Sequence, residues 1–468
     1  MEHQAATNAI SVKRMGVRDE LLVVLVAVSV AVAASVNLMV LSLVLALAVL
    51  FLASIRFKPL LLGVIFFLPF TLYLNWNFPI KDLGTLVRLC LFVGMLVSHL
   101  IYKDSIRKWL FSGRLTWAIL GYLFIATMSA TVFNRLTLDA ERELMRLASY
   151  VCFYYAIAGW IKTEQEFIVL FKTLTVSTIL VALFGMYQFL IGDYSAIYSA
   201  LYPAQEEMLK IPPWFGRITS FLGHYNALAG YLNLIIPFCI AFVLRAHDRT
   251  LRNLSRCCLV LACVSLVLTQ SRGGLLAFIV ILVLSAYFFA PSRKVGMQRI
   301  AVALVCAVLA ALLAGLLFQR LSQIDDYTTV SRLAIWAGSM NVFAGSPMTG
   351  AGFGNLRSLM GGLVGLPEGW VGDAHNLYLE LLAETGIVGF LAFSFLIVTS
   401  LRLALVQHRL FQSDFDKAVG FAVFAAICGV LVHGTVDYLF HTTPQATAMF
   451  FMVLGLLKAN DLRRQRAI

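Results

Sequence analysis

The chain has 468 residues, of which 60% are apolar and 13% charged, with a formal net charge of +12. Soluble domains carry about 25% charged residues, so this composition excludes an ordinary soluble enzyme and points to a polytopic membrane protein. The basic balance does not mark a nucleic-acid binder. The Lys and Arg residues sit in short loops between apolar runs and at the termini, as the positive-inside rule requires of a membrane protein.

Residues 1–20 are polar, and the apolar run from Leu21 to Ile55 ends without a small-residue cleavage site, so a retained first span is expected rather than a signal peptide. Apolar stretches able to cross about 30 Å of hydrocarbon fall at about 21–37, 38–55, 59–76, 85–102, 115–133, 147–161, 168–191, 224–244, 257–270, 275–290, 300–318, 385–404, 418–434 and 443–458. They predict an all-α polytopic protein of about 12–14 transmembrane helices, because helices satisfy their own backbone in lipid and no strand alternation is present. All eight cysteines lie within these apolar runs, with no metal-like spacing in any loop.

Basic clusters such as Arg56/Lys58, Lys103/Arg107/Lys108, Arg245/Arg249/Arg252 and Arg402/Arg409/Lys417 mark alternate loops. Setting all of them in the cytoplasm places both termini inside and sends the segments at about 192–223 and 319–384 to the periplasmic side. Residues 1–468 then form one transmembrane helical domain, with 319–384 as its large periplasmic loop. Neither an internal repeat nor a soluble catalytic domain is evident.

Polar groups concentrate on that outer side. From Cys257 to Ala290 the one charge is Arg272, in Thr269-Gln-Ser-Arg-Gly-Gly274. Two short helices breaking at Gly273-Gly274 would put it at the outer boundary. There it is either a snorkelling interfacial arginine or an anion-binding fork suited to phosphate. Arg217, in Trp214-Phe-Gly-Arg-Ile-Thr-Ser220, is a second outer arginine set against the topological bias, and His224 and Asn226 read as polar groups at the start of the next helix. Arg332, on an expected amphipathic helix, is structural or a third phosphate contact. Arg142 and Arg146 either face a substrate or pair with Asp139, Glu141 or Glu143. Gly350-Ala-Gly-Phe-Gly354 follows no strand and reads as a sharp turn rather than a phosphate cradle. Asp325-Asp326 has no further ligands nearby in sequence and reads as solvated loop.

The most informative stretch is Asp373-Ala-His-Asn-Leu-Tyr-Leu-Glu-Leu-Leu-Ala-Glu384, followed by Gly386 and Gly389. His375 can take a proton from a hydroxyl as that oxygen attacks. Asn376 adjoins it as a candidate substrate contact, and Glu384 is expected to orient a loop or cap a helix.

The ordered set Ser271-Arg-Gly, Ser331-Arg-Leu…Trp336, Pro347…Gly350-Ala-Gly-Phe-Gly354, His375-Asn…Glu384…Gly386…Gly389 and His433-Gly-Thr-Val-Asp437 resembles the O-antigen ligase and O-antigen polymerase superfamily of polytopic membrane glycosyltransferases. The motifs cover residues 210–440, and none is specific alone. The resemblance implies a glycan donor on undecaprenyl diphosphate, used at the periplasmic face of the bacterial inner membrane without a metal or other cofactor. It implies inverting transfer to an acceptor hydroxyl on lipid A-core or on another lipid-linked glycan, with Arg217 and Arg272 on the diphosphate and His375 as base. The ligase reading leads the polymerase one because a single moderate outer segment bears the histidine. A lipid-linked oligosaccharide transporter is the rival class. It would place helix breaks and charges near the midplane of inverted repeats, whereas here the polar groups gather at one face.

Overall fold

A computed structural model of the chain describes residues 58–71, 83–101, 111–134, 136–192, 216–289, 327–363, 373–438, 440 and 444–467. The described residues are 85% helical with no strands among them, and six of their helices are long and apolar enough to cross a membrane. The protein is an all-α polytopic membrane protein. The expected spans at 21–37, 38–55 and 300–318, Cys306 and the Asp325-Asp326 pair lie outside the described residues.

The helices are α1 (Lys58–Phe70), α2 (Leu83–Ile101), α3 (Arg114–Thr131), α4 (Leu138–Trp160), α5 (Glu164–Ile191), α6 (Tyr225–Arg245), α7 (Arg249–Thr269), α8 (Arg272–Phe289), α9 (Tyr327–Gly345), α10 (Leu356–Leu363), α11 (Leu377–Leu410), α12 (Asp414–His433) and α13 (Pro444–Ala467). Helix α6 is the central one, packed against α7, α8, α12 and α13. Its sequence is apolar almost all round, as a fully surrounded helix requires, and two of its buried polar side chains reach neighbouring helices. Asn233 donates to the Gly274 carbonyl at 2.8 Å, and the Tyr231 and Thr178 hydroxyls meet at 3.0 Å. Around it α11 packs on α3 and α12, α4 on α2 and α13, and α5 on α7.

Local caps explain several boundaries. Thr163 and Glu166 form a reciprocal capping box at the start of α5, and Asp248 and Ser413 cap α7 and α12. At the opposite end from the site, the Arg463 guanidinium meets the Asp416 carboxylate and lies over Phe167 and Phe415, tying α13 to α12 and α5.

One expectation is corrected. The break between α7 and α8 falls at Gln270-Ser271, not at Gly273-Gly274. Gln270 takes the left-handed conformation (φ 51°) as the C-cap of α7, and the two glycines lie inside the first turn of α8. Their role is close packing: a Cβ on Gly274 would come 2.5 Å from the Ala229 side chain, and one on Gly273 would meet Val436 and His433.

Helix α11 is itself broken. Gly386 has φ 62° and ψ −167° within it. Inside a bilayer the carbonyls and amides freed by such a break need protein partners, and the Gly350–Gly354 loop supplies them. Ala351 and Gly352 amides donate to the Ala383 and Glu384 carbonyls at 2.8 and 2.9 Å, while the Ile387 and Val388 amides donate to Pro347 and Met348 at 2.8 and 3.4 Å. Ser129 of α3 adds its hydroxyl to the Glu384 carbonyl at 2.9 Å and to Thr349 at 3.0 Å. Gly350, Gly352 and Gly354 are all left-handed (φ 69°, 101° and 80°). The loop is therefore the sharp turn its sequence suggested, and its amides serve the broken helix rather than a phosphate.

The two backbones approach so closely that a Cβ on Gly386 would collide with the Met348 carbonyl and one on Gly350 with that of Glu384. We expect Gly386→Ala and Gly350→Ala each to lower stability by about 2 kcal/mol or more, the left-handed conformation alone costing about 1–2 kcal/mol. Gly121→Ala, on a helical position with nothing within 4 Å of the new methyl, should stay within about 0.5 kcal/mol. Thermal unfolding of the purified variants checks this, and equal midpoints for all three would contradict the account.

Candidate active site

The site is built where three chain breaks meet: the elbow before α11, the turn after α12 and the junction between α7 and α8. The elbow is the most constrained. The His375 amide donates to Asp373 at 2.7 Å, and His375 itself is left-handed at φ 46°, a conformation a non-glycine residue holds only when its surroundings fix it. Those surroundings are explicit. Trp336 of α9 donates to the Ala374 carbonyl at 3.0 Å, and the Glu380 carboxylate accepts from the Ala374 amide at 2.5 Å. The Leu377 amide donates to Gly434 at 2.8 Å.

Asn376 is the N-cap of α11. Its side-chain oxygen accepts from the Tyr378 and Leu379 amides at 3.0 and 3.1 Å, and its amide nitrogen donates to Thr435 at 2.9 Å. The residue named from sequence as a candidate substrate contact is thus engaged in holding the elbow against the turn after α12. Glu384 accepts from the Leu356 amide at 3.3 Å and caps α10. Loop orientation and helix capping were the roles anticipated for it.

Nδ1 of His375 lies 3.2 Å from Asp373 and 3.4 Å from Asp437. Both acids are buried, and the imidazole is about one-third exposed (30%). The Asp373 carboxylate is the largest influence on the ring. With Asp437 it outweighs the burial that opposes charge and pushes the pKa of His375 up to about 9. Burial works against the charge on Asp437, yet the His375 hydrogen bond and the nearby imidazoles of His433 and His224 hold its carboxyl well below the usual range. With Nδ1 on the carboxylate side, Nε2 is the ring nitrogen directed away from them.

His224 caps α6, accepting from the Asn226 amide at 3.2 Å. Burial first, then the charges of Arg217, His375 and Arg332, lower its pKa to about 4 despite the opposing pull of Asp437. The same interactions show which predicted residues come together: Arg217, Arg332 and His375 share one electrostatic neighbourhood with Asp437. Arg217 is buried, donating from Nε to Thr269 at 3.1 Å and from Nη2 to Gln270 at 2.7 Å, and its guanidinium stacks on Tyr225 at 3.3 Å. It fixes the turn from which Arg272 emerges, exposed, as the first residue of α8. Ser271 completes that turn through its hydroxyl, which donates to Asn226 at 2.6 Å and accepts from the Gly274 amide at 3.2 Å.

Arg146 is placed differently. It pairs with Glu143 at 2.5 Å on α4, and Arg142 with Asp139 at 3.3 Å. Glu143 lines an aromatic cavity with Tyr122, Tyr150, Phe393 and Tyr438, the last being the residue after Asp437.

The sequence reading did not assign roles to Asp373, Asp437 or His433. The Asp437 motif lies sixty residues beyond the elbow, and only the fold brings them together. Asp373, His375 and Asp437 offer ligand atoms within 4.8 Å of one another, the group among the described residues close enough to hold a cation. Nδ1 sits at hydrogen-bond and ion-pair distance from both carboxylates, so it can carry a proton toward them or, deprotonated, join them as a ligand. The arrangement is that of an imidazole oriented and made more basic by two acids.

Asp373→Asn keeps an oxygen for the His375 amide and removes the largest charge on the ring. It should move the pKa of His375 down from about 9 toward the ordinary value near 6.5. Carbethoxylation, which attacks the neutral imidazole, followed at His375 by mass spectrometry across pH, would show the half-reaction point falling. An unchanged profile would remove Asp373 from this role.

Residues 257–394 match a family model described as O-antigen ligase. No curated protein matches the chain. The matched segment contains Arg272, Arg332, the Gly350–Gly354 loop and the His375 elbow, while Arg217, His433 and Asp437 lie outside it. The part of the chain that carries the elbow is thus similar to the O-antigen ligase family, the resemblance its motifs suggested.

Proposed function

We propose that this protein is a glycosyltransferase of the bacterial inner membrane that moves a glycan from undecaprenyl diphosphate to a hydroxyl of lipid A-core, working at the periplasmic face. The observation that carries this reading is the His375 imidazole, held by two buried carboxylates at the start of a broken helix and sharing its neighbourhood with arginines. In support, the matched family is that of O-antigen ligases, and the alternation of basic loops puts this end of the bundle outside. Residues 1–468 are read as one transmembrane domain, with both termini cytoplasmic and 192–223 and 319–384 periplasmic.

In this reading Nε2 of neutral His375 accepts the proton of the acceptor hydroxyl as its oxygen attacks the anomeric carbon. The bond from that carbon to the diphosphate breaks with inversion, and the lipid diphosphate leaves with the electron pair. Arg272 meets the developing negative charge at the mouth of the site, while Arg217 adds positive charge from behind the Thr269–Gln270 turn and Arg332 from α9. Preorganised cations at the point where charge develops are effective in a water-poor site, so the scheme asks for no metal.

His375→Ala should lower transfer by about 10²–10⁴-fold and Arg272→Ala by about 10²–10³-fold, with folding intact. Near-normal turnover by either purified variant on a lipid-linked donor would sink the assigned roles. The acceptor is read from the lipopolysaccharide of a deletion strain. Bare core together with accumulated lipid-linked polymer is expected for a ligase, whereas core bearing a single repeat would make the protein a polymerase.

A further inference from the structure

His433 ends α12 four residues before Asp437, is 1% exposed, and has no hydrogen-bond partner for either ring nitrogen among the described residues. A buried polar group left unpaired is costly, and native structures keep few of them without a purpose. The ring is not stranded in lipid. It rests on the first turn of α8: a Cβ on Gly273 would lie 2.7 Å from Cδ2 and 3.3 Å from Nε2 of His433. Glycine at 273 is what lets the imidazole approach the helix start so closely.

That helix start is an 18-residue helix's N-terminus, opened by Arg272, and it attracts anions through its dipole and amides. Asp437 lies near enough for its charge to act on the His433 ring, and its carboxylate also takes His375. His433 thus packs on the helix that Arg272 opens and shares the Asp437 charge with His375. The negative charge of Asp437 is offset there by His375 and His224, so an anion at the α8 start is not repelled by an uncompensated acid.

We propose that His433 is a third contact for the departing diphosphate, its ring N–H hydrogen-bonding a phosphate oxygen held over the first turn of α8 beside Arg272. This rests on the donor being a lipid diphosphate, as read above. His433 keeps its proton throughout, since the diphosphate leaves as an anion and needs none. It completes an anion site made of one guanidinium, one imidazole and a helix N-terminus.

The test uses the purified full-length protein and two probes, undecaprenyl diphosphate and undecaprenol. His433→Phe fills the same space without the nitrogens, and its thermal midpoint should match or exceed that of the parent. Its affinity for undecaprenyl diphosphate should fall roughly ten- to a hundredfold, the ratio that one hydrogen bond to a charged group is worth, while undecaprenol binding stays unchanged. His433→Gln, which retains an N–H donor, should bind the diphosphate better than His433→Phe does. A space-filling role would give the reverse order, and that order, or an unchanged affinity in His433→Phe, overturns the proposal. If the parent prefers undecaprenyl diphosphate over undecaprenol and Arg272→Ala loses that preference while His433→Phe keeps it, His433 alone has been misassigned. No preference in the parent would instead remove the donor reading itself.

Discussion

A bilayer offers no water to a broken helix, and this fold depends on how it meets that constraint in α11. The break at Gly386 frees carbonyls and amides on both sides, and the 347–352 segment pairs with them as a short backbone suture. The His375 elbow hangs from the half-helix above the break. Its glutamates are turned to structural use, Glu384 capping α10 and Glu380 holding the Ala374 amide, and its N-cap Asn376 pins the turn after α12. A discontinuous helix is also a device of transporters. Here the freed groups are consumed by the glycine loop rather than presented to a midplane cavity, which favours a rigid support for a reacting group.

The suture sets where the elbow is, and electrostatics sets what it can do. Two acids on one imidazole make it a strong base that is mostly protonated at rest. Arg332 acts in the opposite sense and lowers the pKa of His375. Such a site gains reactivity in the neutral form at the expense of its population, so its activity depends on pH from neutrality up to about 9, a range in which an isolated histidine is already mostly neutral. The same field explains why His224, deeper and closer to Arg217, serves as a neutral helix cap while His375 is the ring held charged.

Much of this was legible from hydropathy. The runs at 168–191, 224–244, 385–404 and 418–434 lie within α5, α6, α11 and α12 to within a residue or so, because apolar length reports directly on membrane thickness. His375, Glu384 and the turn at Gly350–Gly354 stood out as polar or glycine-rich interruptions of apolar sequence. What stayed hidden depends on contacts between distant segments. The acids that bracket His375 come from two residues before it and from beyond the next helix, and spacing along a chain does not reveal such a meeting. The break at Gln270 was assigned three residues late because a left-handed glutamine beside two glycines is the less expected choice. Spacing did not reveal that Asn376 caps α11 and binds Thr435, or which of its neighbouring acids Arg146 meets.

The central claim, that neutral His375 is the proton acceptor, is tested most directly by the pH dependence of kcat/KM for glycan transfer by the purified protein. A basic limb is predicted, with the rate rising about tenfold per pH unit from neutrality and levelling near pH 9, where His375 loses its proton. A rate that is flat across this range, or that falls as pH approaches 9, would show that His375 acts as a cation and not as a base.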